Sequence, residues 1–411
     1  MSRFDEPQFE PLLDLLREHI RKEHYGLCAR WSYPYAARCF LRELERRERT
    51  VGSVSPADLE CYLDSLRLKR RRGPLPDQLR RMHRAAIHML LRLVRGRWPP
   101  EALPATGEEL AIQESVTAFD AWMKDLRGLS PSTRRHRRSE MRQLLEWLHD
   151  RNKNVATLTI DDLDLYVAKR AVAMRRNSTA EMVATLRSVL RYLHEHGPLA
   201  RDLASLMKGP TIYALEGVPS TIRPEDVQRA LVALKQDRSA AGRRDYAIWM
   251  LLTTYGLRGG EIKALRLSDI DWRHERLRIR HGKTGAYSEL PLLSKPANAL
   301  LDYLRHGRPA TTARAVFLRA QAPYRPLSYG THLHGVVSRR LAAVGVVPAG
   351  KHGSHALRHA RAISLLRGGV SLKVIGDVLG HRSAQSTAAY LKLATEDLRS
   401  VALDLPVEVA P

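Results

Sequence analysis

Apolar residues recur at three- and four-residue intervals along most of this 411-residue chain, which predicts helices joined by short polar turns. In 132–149, Met141, Leu144, Leu145 and Leu148 share one helix face, and Tyr246 to Tyr255 reads as a buried helix closed by Gly256. Residues 114–126, 294–305 and 328–343 read as further helices, and Arg223-Pro224-Glu225-Asp226 starts another with proline in its first turn. Strand-like alternation is strongest in RLRIRHGKTGAYSELPL, 276–292, around Gly282 and Gly285. That is the pattern of a β-hairpin with a glycine-bearing turn. VFLR, 316–319, is one more short strand candidate. The expected fold class is mainly α, with a small β-sheet or hairpin in the C-terminal part.

One helical pattern occurs twice. FLRELERRERTVGSVSPADLECYLDSL, 40–66, aligns with LLEWLHDRNKNVATLTIDDLDLYVAKR, 144–170, at an offset of 104. Leu41 falls on Leu145, Leu44 on Leu148, Leu59 on Leu163 and Tyr62 on Tyr166. A Ser/Thr-x-x-Asp helix-start signature stands at 55–58 and again at 159–162. We read a duplicated all-helical module. The Pro-rich stretch 98–110 marks the junction between copies, and Gly209-Pro210, Gly217 and Pro219 mark a linker within 205–222. The expected domains are 1–98, 112–205 and 220–411, in keeping with about 100–200 residues each.

Charge narrows the partners. Lys and Arg number 68 against 44 Asp and Glu, a formal net charge of +24. Such an excess predicts an acidic polymer as partner, with a membrane surface as the rival. Arg135, Arg138 and Arg142 lie on one side of the 132–149 helix with no acidic balance in that run, and are candidate phosphate contacts. Lys69 to Arg72 is a similar run in the first copy. No apolar run approaches the roughly 20 residues of a membrane-spanning helix. The acidic start MSRFDEPQFEPLLDLL lacks an apolar signal core, so a cytoplasmic protein is expected. Cys28, Cys39 and Cys61 are not in metal-ligand spacing and are expected to be unpaired thiols.

The chemistry concentrates in 351–393, KHGSHALRHARAISLLRGGVSLKVIGDVLGHRSAQSTAAYLKL, which reads as three short helices. His355 and Arg358, three apart, share a helix face. Gly368-Gly369 breaks that helix, Ser371 caps the next, and Gly380 ends it just before His381. Tyr390 follows nine residues later. Arginine suits the charge of a phosphodiester under attack, because it is always ionised and binds two oxygens at once. A tyrosine hydroxyl can attack phosphorus, but with a free pKa of about 10 it needs help to lose its proton.

The order H-x-x-R, L-G-H, S-x-x-x-Y resembles the catalytic core of the tyrosine recombinases, the phage-integrase family. Upstream, GLRGGEI at 256–262 matches that family's G-[LM]-R-x-x-E-[IL], with Arg258 as the first catalytic arginine and Glu261 as its supporting acid. Lys283, in the hairpin turn, matches the family's hairpin lysine. GLSPST, 128–133, resembles a turn common in the helical module that precedes the catalytic domain and forms half of a clamp around DNA.

The resemblance implies a site-specific recombinase with catalytic residues Arg258, Lys283, His355, Arg358, His381 and Tyr390. It implies that Tyr390 forms a 3′-phosphotyrosyl link, His355 accepts a proton, Lys283 protonates the 5′ leaving oxygen, and His381 donates to the phosphate or holds Tyr390. No metal and no cofactor are expected, since two arginines and a lysine supply the positive charge. It also implies a homo-tetramer on two DNA sites, with the segment around Leu391, Leu398 and Val401 docking on a neighbour, and leaves partner recombinases open. Two alternatives stand beside it: a helix-turn-helix regulator, since 370–392 also has that pattern, and a type IB topoisomerase with similar chemistry.

Overall fold

A computed structural model describes residues 7–68, 77–100, 104, 106–213, 222–282, 285–327, 333–347, 353–380 and 387. They are mainly helical, with one small antiparallel sheet. The chain divides into two compact units, 101–216 on the one hand and 1–100 with 217–411 on the other.

The first hundred residues fold as α1 (Glu10–Lys22), α2 (Leu27–Arg46), α3 (Pro56–Leu68) and α4 (Asp77–Arg95). The unit 101–216 repeats the layout with α5 (Gly107–Asp125), α6 (Pro131–His149), α7 (Ile160–Ala171) and α8 (Arg176–His196). The correspondence reaches single residues. Leu13, Leu16 and Ile20 are buried in α1 as Val116, Phe119 and Met123 are in α5. Phe40, Leu41 and Leu44 are buried in α2 as Leu144, Leu145 and Leu148 are in α6. The chain leaves α2 through Glu48 at φ 54° and α6 through Asn152 at φ 55°. The next amide then returns to the helix in both: Arg49 N–H donates to the Leu44 carbonyl at 2.9 Å and Lys153 N–H to the Leu148 carbonyl at 3.0 Å. Asp58 and Asp162 each accept the N–H and hydroxyl of the capping residue three positions earlier, Ser55 and Thr159. Such a cap contributes about 1 kcal/mol to its helix.

The C-terminal part begins with α9 (Pro224–Gln236), α10 (Ala240–Tyr255) and the one-and-a-half-turn α11 (Gly259–Ala264). The sheet follows, β1 (Ile270–Asp271), β2 (Arg276–Arg280) and β3 (Tyr287–Pro291), all antiparallel in sequence order. In β2 the alternation is strict: Leu277 and Ile279 are buried, and the three arginines between and beside them are exposed. Then come α12 (Ser294–His306), α13 (Leu333–Ala342), α14 (Ser354–Arg367) and α15 (Leu372–Leu379). The centre of the core is α10, whose Ile248, Trp249, Leu251 and Leu252 are fully buried. It packs on α9, α12 and α14.

Several boundaries differ from the sequence reading. Helix α5 starts at Gly107, inside the expected junction, because the Thr106 hydroxyl accepts Glu109 N–H at 3.1 Å and caps it there. Helix α10 starts a turn and a half before Tyr246, capped by Ser239. Its polar Arg244 and Asp245, just ahead of the apolar run, are buried as a pair joined by Arg340. Residues 316–319 are not a strand: Val316, Phe317 and Leu318 are buried, but only isolated bridges form, Arg266 with Ala315 and Leu318 with Pro326. Of the helix expected over 328–343, residues 328–332 lie outside the described residues, as do the Lys69–Arg72 run and the segment after Tyr390. Cys28, Cys39 and Cys61 are free thiols. Among the described residues no helix is long and apolar enough to cross a membrane.

Candidate active site

The site is built where α10 stops. Gly256 takes φ 66°, and a Cβ there would lie 2.6 Å from Leu379 Cδ2, so the turn needs glycine twice over. The turn delivers Arg258 to the N-cap of α11. Gly259, next in sequence, lets α11 abut the start of α14: a Cβ on it would meet Ser354 Oγ at 2.9 Å. Arg258 and the His355–Arg358 turn therefore come together from segments about a hundred residues apart.

Glu261 fixes Arg258. Its carboxylate accepts the Arg258 backbone N–H at 2.7 Å and a guanidinium N–H at 2.9 Å, the N3 half of a capping box. The same guanidinium donates to the carbonyls of Leu379 at 3.5 Å and Gly380 at 3.2 Å. Arg358, 3% exposed, donates to the carbonyls of Gly256 at 2.8 Å and Leu379 at 2.6 Å. The free carbonyls at the C-terminal end of α15 thus hold both cations, as the negative end of a helix favours. Arg258 stays 31% exposed. Glu261 is buried. Burial alone would raise its pKa, but the hydrogen bonds from His281 and from Arg258 outweigh it and hold the carboxyl below its ordinary range.

His355 is exposed on the first turn of α14, one turn from Arg358. Its ring lies 6.5 Å, centroid to centroid, from that of His359, one turn further on. Burial first, then the nearby His355 and Arg358, lower the His359 pKa to about 4. His359 is therefore a neutral imidazole at physiological pH. Lys283, His381 and Tyr390 lie outside the described residues. Thr387, three residues before Tyr390, is buried; a Cβ on Gly376 of α15 would lie 3.2 Å from its hydroxyl.

Residues 220–397 match the phage integrase family, and 116–197 match its N-terminal SAM-like domain. Tyrosine recombinase XerC of Mycobacterium tuberculosis is 30% identical, over 71% of this chain and 97% of that one. The chain belongs to the phage integrase family. It is a tyrosine-type site-specific recombinase. Two putative integrase/recombinases of Sinorhizobium fredii are also similar: y4gC, 55% identical over 46% of this chain and 97% of its own length, and y4rA, 35% identical over 79% of each. Among solved structures, the XerH site-specific recombinase bound to palindromic difH substrate aligns at TM-score 0.57 and 14% identity, over 73% of this chain and 89% of that one. A lambda integrase tetramer bound to a Holliday junction aligns at 0.53 and 17%, over 77% and 88%. At these identities the likeness is one of fold.

On α6 the three candidate phosphate contacts differ. Arg135 is exposed. Arg138 lies 3.4 Å from Asp120, which also takes Arg134 at 3.0 Å, and Arg142 lies 3.9 Å from Glu146. The expected lack of acidic balance is thus corrected. Asp120 comes across from α5, out of reach of any reading of α6 alone. The Arg142–Glu146 pair is exposed, and such pairs are worth about 0–1 kcal/mol. In the first module, Trp31, 80% exposed, stands at the position of Arg135, and Pro34 at that of Arg138.

Sequence reasoning missed His281. Its Nδ1 lies 2.8 Å from Glu261 Oε1 and its Nε2 2.7 Å from Ser288 Oγ. The signal was present in the histidine two residues before the hairpin lysine, but its partner is on another element.

Proposed function

We propose that Arg258 and Arg358 hold the non-bridging oxygens of a scissile DNA phosphate while Tyr390 attacks phosphorus. The observation that supports this is the shared anchorage of the two guanidiniums on the Leu379 carbonyl, with Glu261 fixing the more exposed one. Two preorganised cations stabilise the charge that builds up as phosphorus becomes five-coordinate, at no reorganisation cost during the step. Attack forms a P–O bond to the tyrosine and breaks the bond to the 5′ oxygen. His355, exposed one turn from Arg358, accepts the tyrosine proton, Lys283 protonates the leaving 5′ oxygen, and His381 hydrogen-bonds the phosphate or the tyrosine. The reverse reaction with a new 5′ hydroxyl rejoins the strand.

On this reading the chain has three modules, 1–98, 112–205 and 220–411. The second and third clamp double-stranded DNA, with Arg135, Arg138 and Arg142 on the backbone, and four copies act on two sites. The structures of similar fold, a lambda integrase tetramer bound to a Holliday junction and XerH bound to difH, support that assembly.

The test is a covalent adduct. Full-length protein is mixed with supercoiled plasmid carrying DNA from its own replicon, denatured and digested, and the DNA-linked peptide is identified. The reading requires a link at Tyr390 that is missing in Tyr390→Phe. DNA binding by both proteins with no adduct from either favours a regulator instead.

A further inference from the structure

One side chain outside the six assigned positions touches three parts of the site. His281 follows the last residue of β2. Its main chain closes the root of the hairpin turn: His281 N–H donates to the Ala286 carbonyl and Gly285 N–H to the His281 carbonyl, both at 2.8 Å. Its ring bridges outward. Nδ1 meets Glu261, the carboxylate that fixes Arg258, and Nε2 meets Ser288 on β3. Glu261 can only accept, so Nδ1 carries a proton. The ring edge lies against Gly380: a Cβ there would stand 2.6 Å from His281 Cε1, and the Gly380 carbonyl accepts from Arg258. Arg258 has other anchors, in Glu261 and two carbonyls. The hairpin root has, in this ring, a polar tie to the Arg258–Glu261 pair.

We propose that His281 is a positioning residue that pins the root of the β2–β3 hairpin to the Arg258–Glu261 pair and so sets where the hairpin lysine meets the leaving oxygen. This rests on the reading of Lys283 as the proton donor. His281 touches no reacting atom in it. A displacement of an acid by about 1 Å can cost as much as a hundredfold in rate, so one ring can matter this much.

The test has two arms on the full-length protein. In the first, hydrogen exchange without DNA is compared for wild type and His281→Ala. The peptide spanning 276–291 exchanges faster in the variant and the rest of the chain does not. Unchanged exchange in that peptide overturns the proposal. The second arm uses a duplex with the protein's mapped cleavage site, made once with the ordinary phosphate and once with sulfur replacing the 5′ leaving oxygen. A thiolate leaves without a general acid. His281→Ala should cleave the ordinary duplex about tenfold to a hundredfold more slowly. It should recover wild-type rate on the sulfur duplex, as Lys283→Ala does. The double variant should be no slower than Lys283→Ala alone. His281→Asn, whose amide reaches where Nδ1 stands, should recover part of the loss. Rescue of Lys283→Ala but not of His281→Ala overturns the proposal and leaves the lysine's role standing. Failure to rescue Lys283→Ala removes that role, and the proposal with it.

Discussion

Arg258 and Arg358 donate to one and the same carbonyl oxygen, that of Leu379, at 3.5 and 2.6 Å. Two cations rarely share an anchor without a reason, because their mutual repulsion must be offset. Here the carbonyl end of α15 and the buried Glu261 offset it. The α15 end is set in turn by Gly380 at φ 63°, and the Arg358 side of the pair by the turn at Gly256.

Replacing Arg358 by lysine should keep the charge and lose the fork that joins Gly256 to Leu379. Adduct formation should fall about 10²- to 10³-fold, the scale of losing one preorganised donor, while affinity for DNA stays near wild type. Gel-shift titration beside single-turnover cleavage separates the two.

Gly256→Ala should destabilise the C-terminal part of the chain, where α10 meets α15. The left-handed backbone alone costs about 1–2 kcal/mol for a residue with a Cβ, and the contact with Leu379 adds to it. Urea unfolding should show a lower midpoint with an unchanged slope. A midpoint equal to wild type would mean that the turn relaxes.

The buried Glu261 and the half-buried His359 both make the fold less stable as pH falls, in adjoining windows. The Glu261 pKa is depressed in the folded chain, so its ionised form contributes stability above its ordinary 4.5 that is lost as pH falls through the lower folded value. Glu261→Gln should therefore be less stable than wild type at pH 7, by about 1–3 kcal/mol, and the gap should close in acid. His359 has its pKa lowered to about 4, so unfolding takes up a proton between the unfolded value of 6.5 and that pH. Stability falls as pH drops through this window. His359→Asn should flatten that slope in a series of melts from pH 7 to pH 4.

Much of this was legible in the chain, and what escaped has physical causes. The duplication could be read because its markers are local: the Ser55–Asp58 and Thr159–Asp162 boxes, and a tyrosine four residues after each. Both arginines and Glu261 were found from short motifs. Three features needed the fold. Asp120 neutralises Arg134 and Arg138 from a different helix. His281 meets Glu261 across twenty residues. Val316 to Leu318 are apolar because they are buried in a loop, which alternation cannot tell from a strand.

The basic face of α6 makes a quantitative claim. If Arg135 contacts a phosphate, Arg135→Ala should lower the slope of log affinity against log salt by about 0.9. Trp31→Ala, at the matching position of the first module, should leave that slope unchanged. Binding curves across a salt series decide both.

The central claim is that the two arginines neutralise charge on the non-bridging oxygens. It is tested most directly by replacing the scissile phosphate with an uncharged methylphosphonate in the protein's mapped site. Arg258→Ala and Arg358→Ala are then compared with wild type on both duplexes, reading Tyr390 adduct over time. The account predicts deep defects on the phosphate that largely vanish on the methylphosphonate. Equal defects on the two would mean that the arginines hold the fold and not the phosphate's charge.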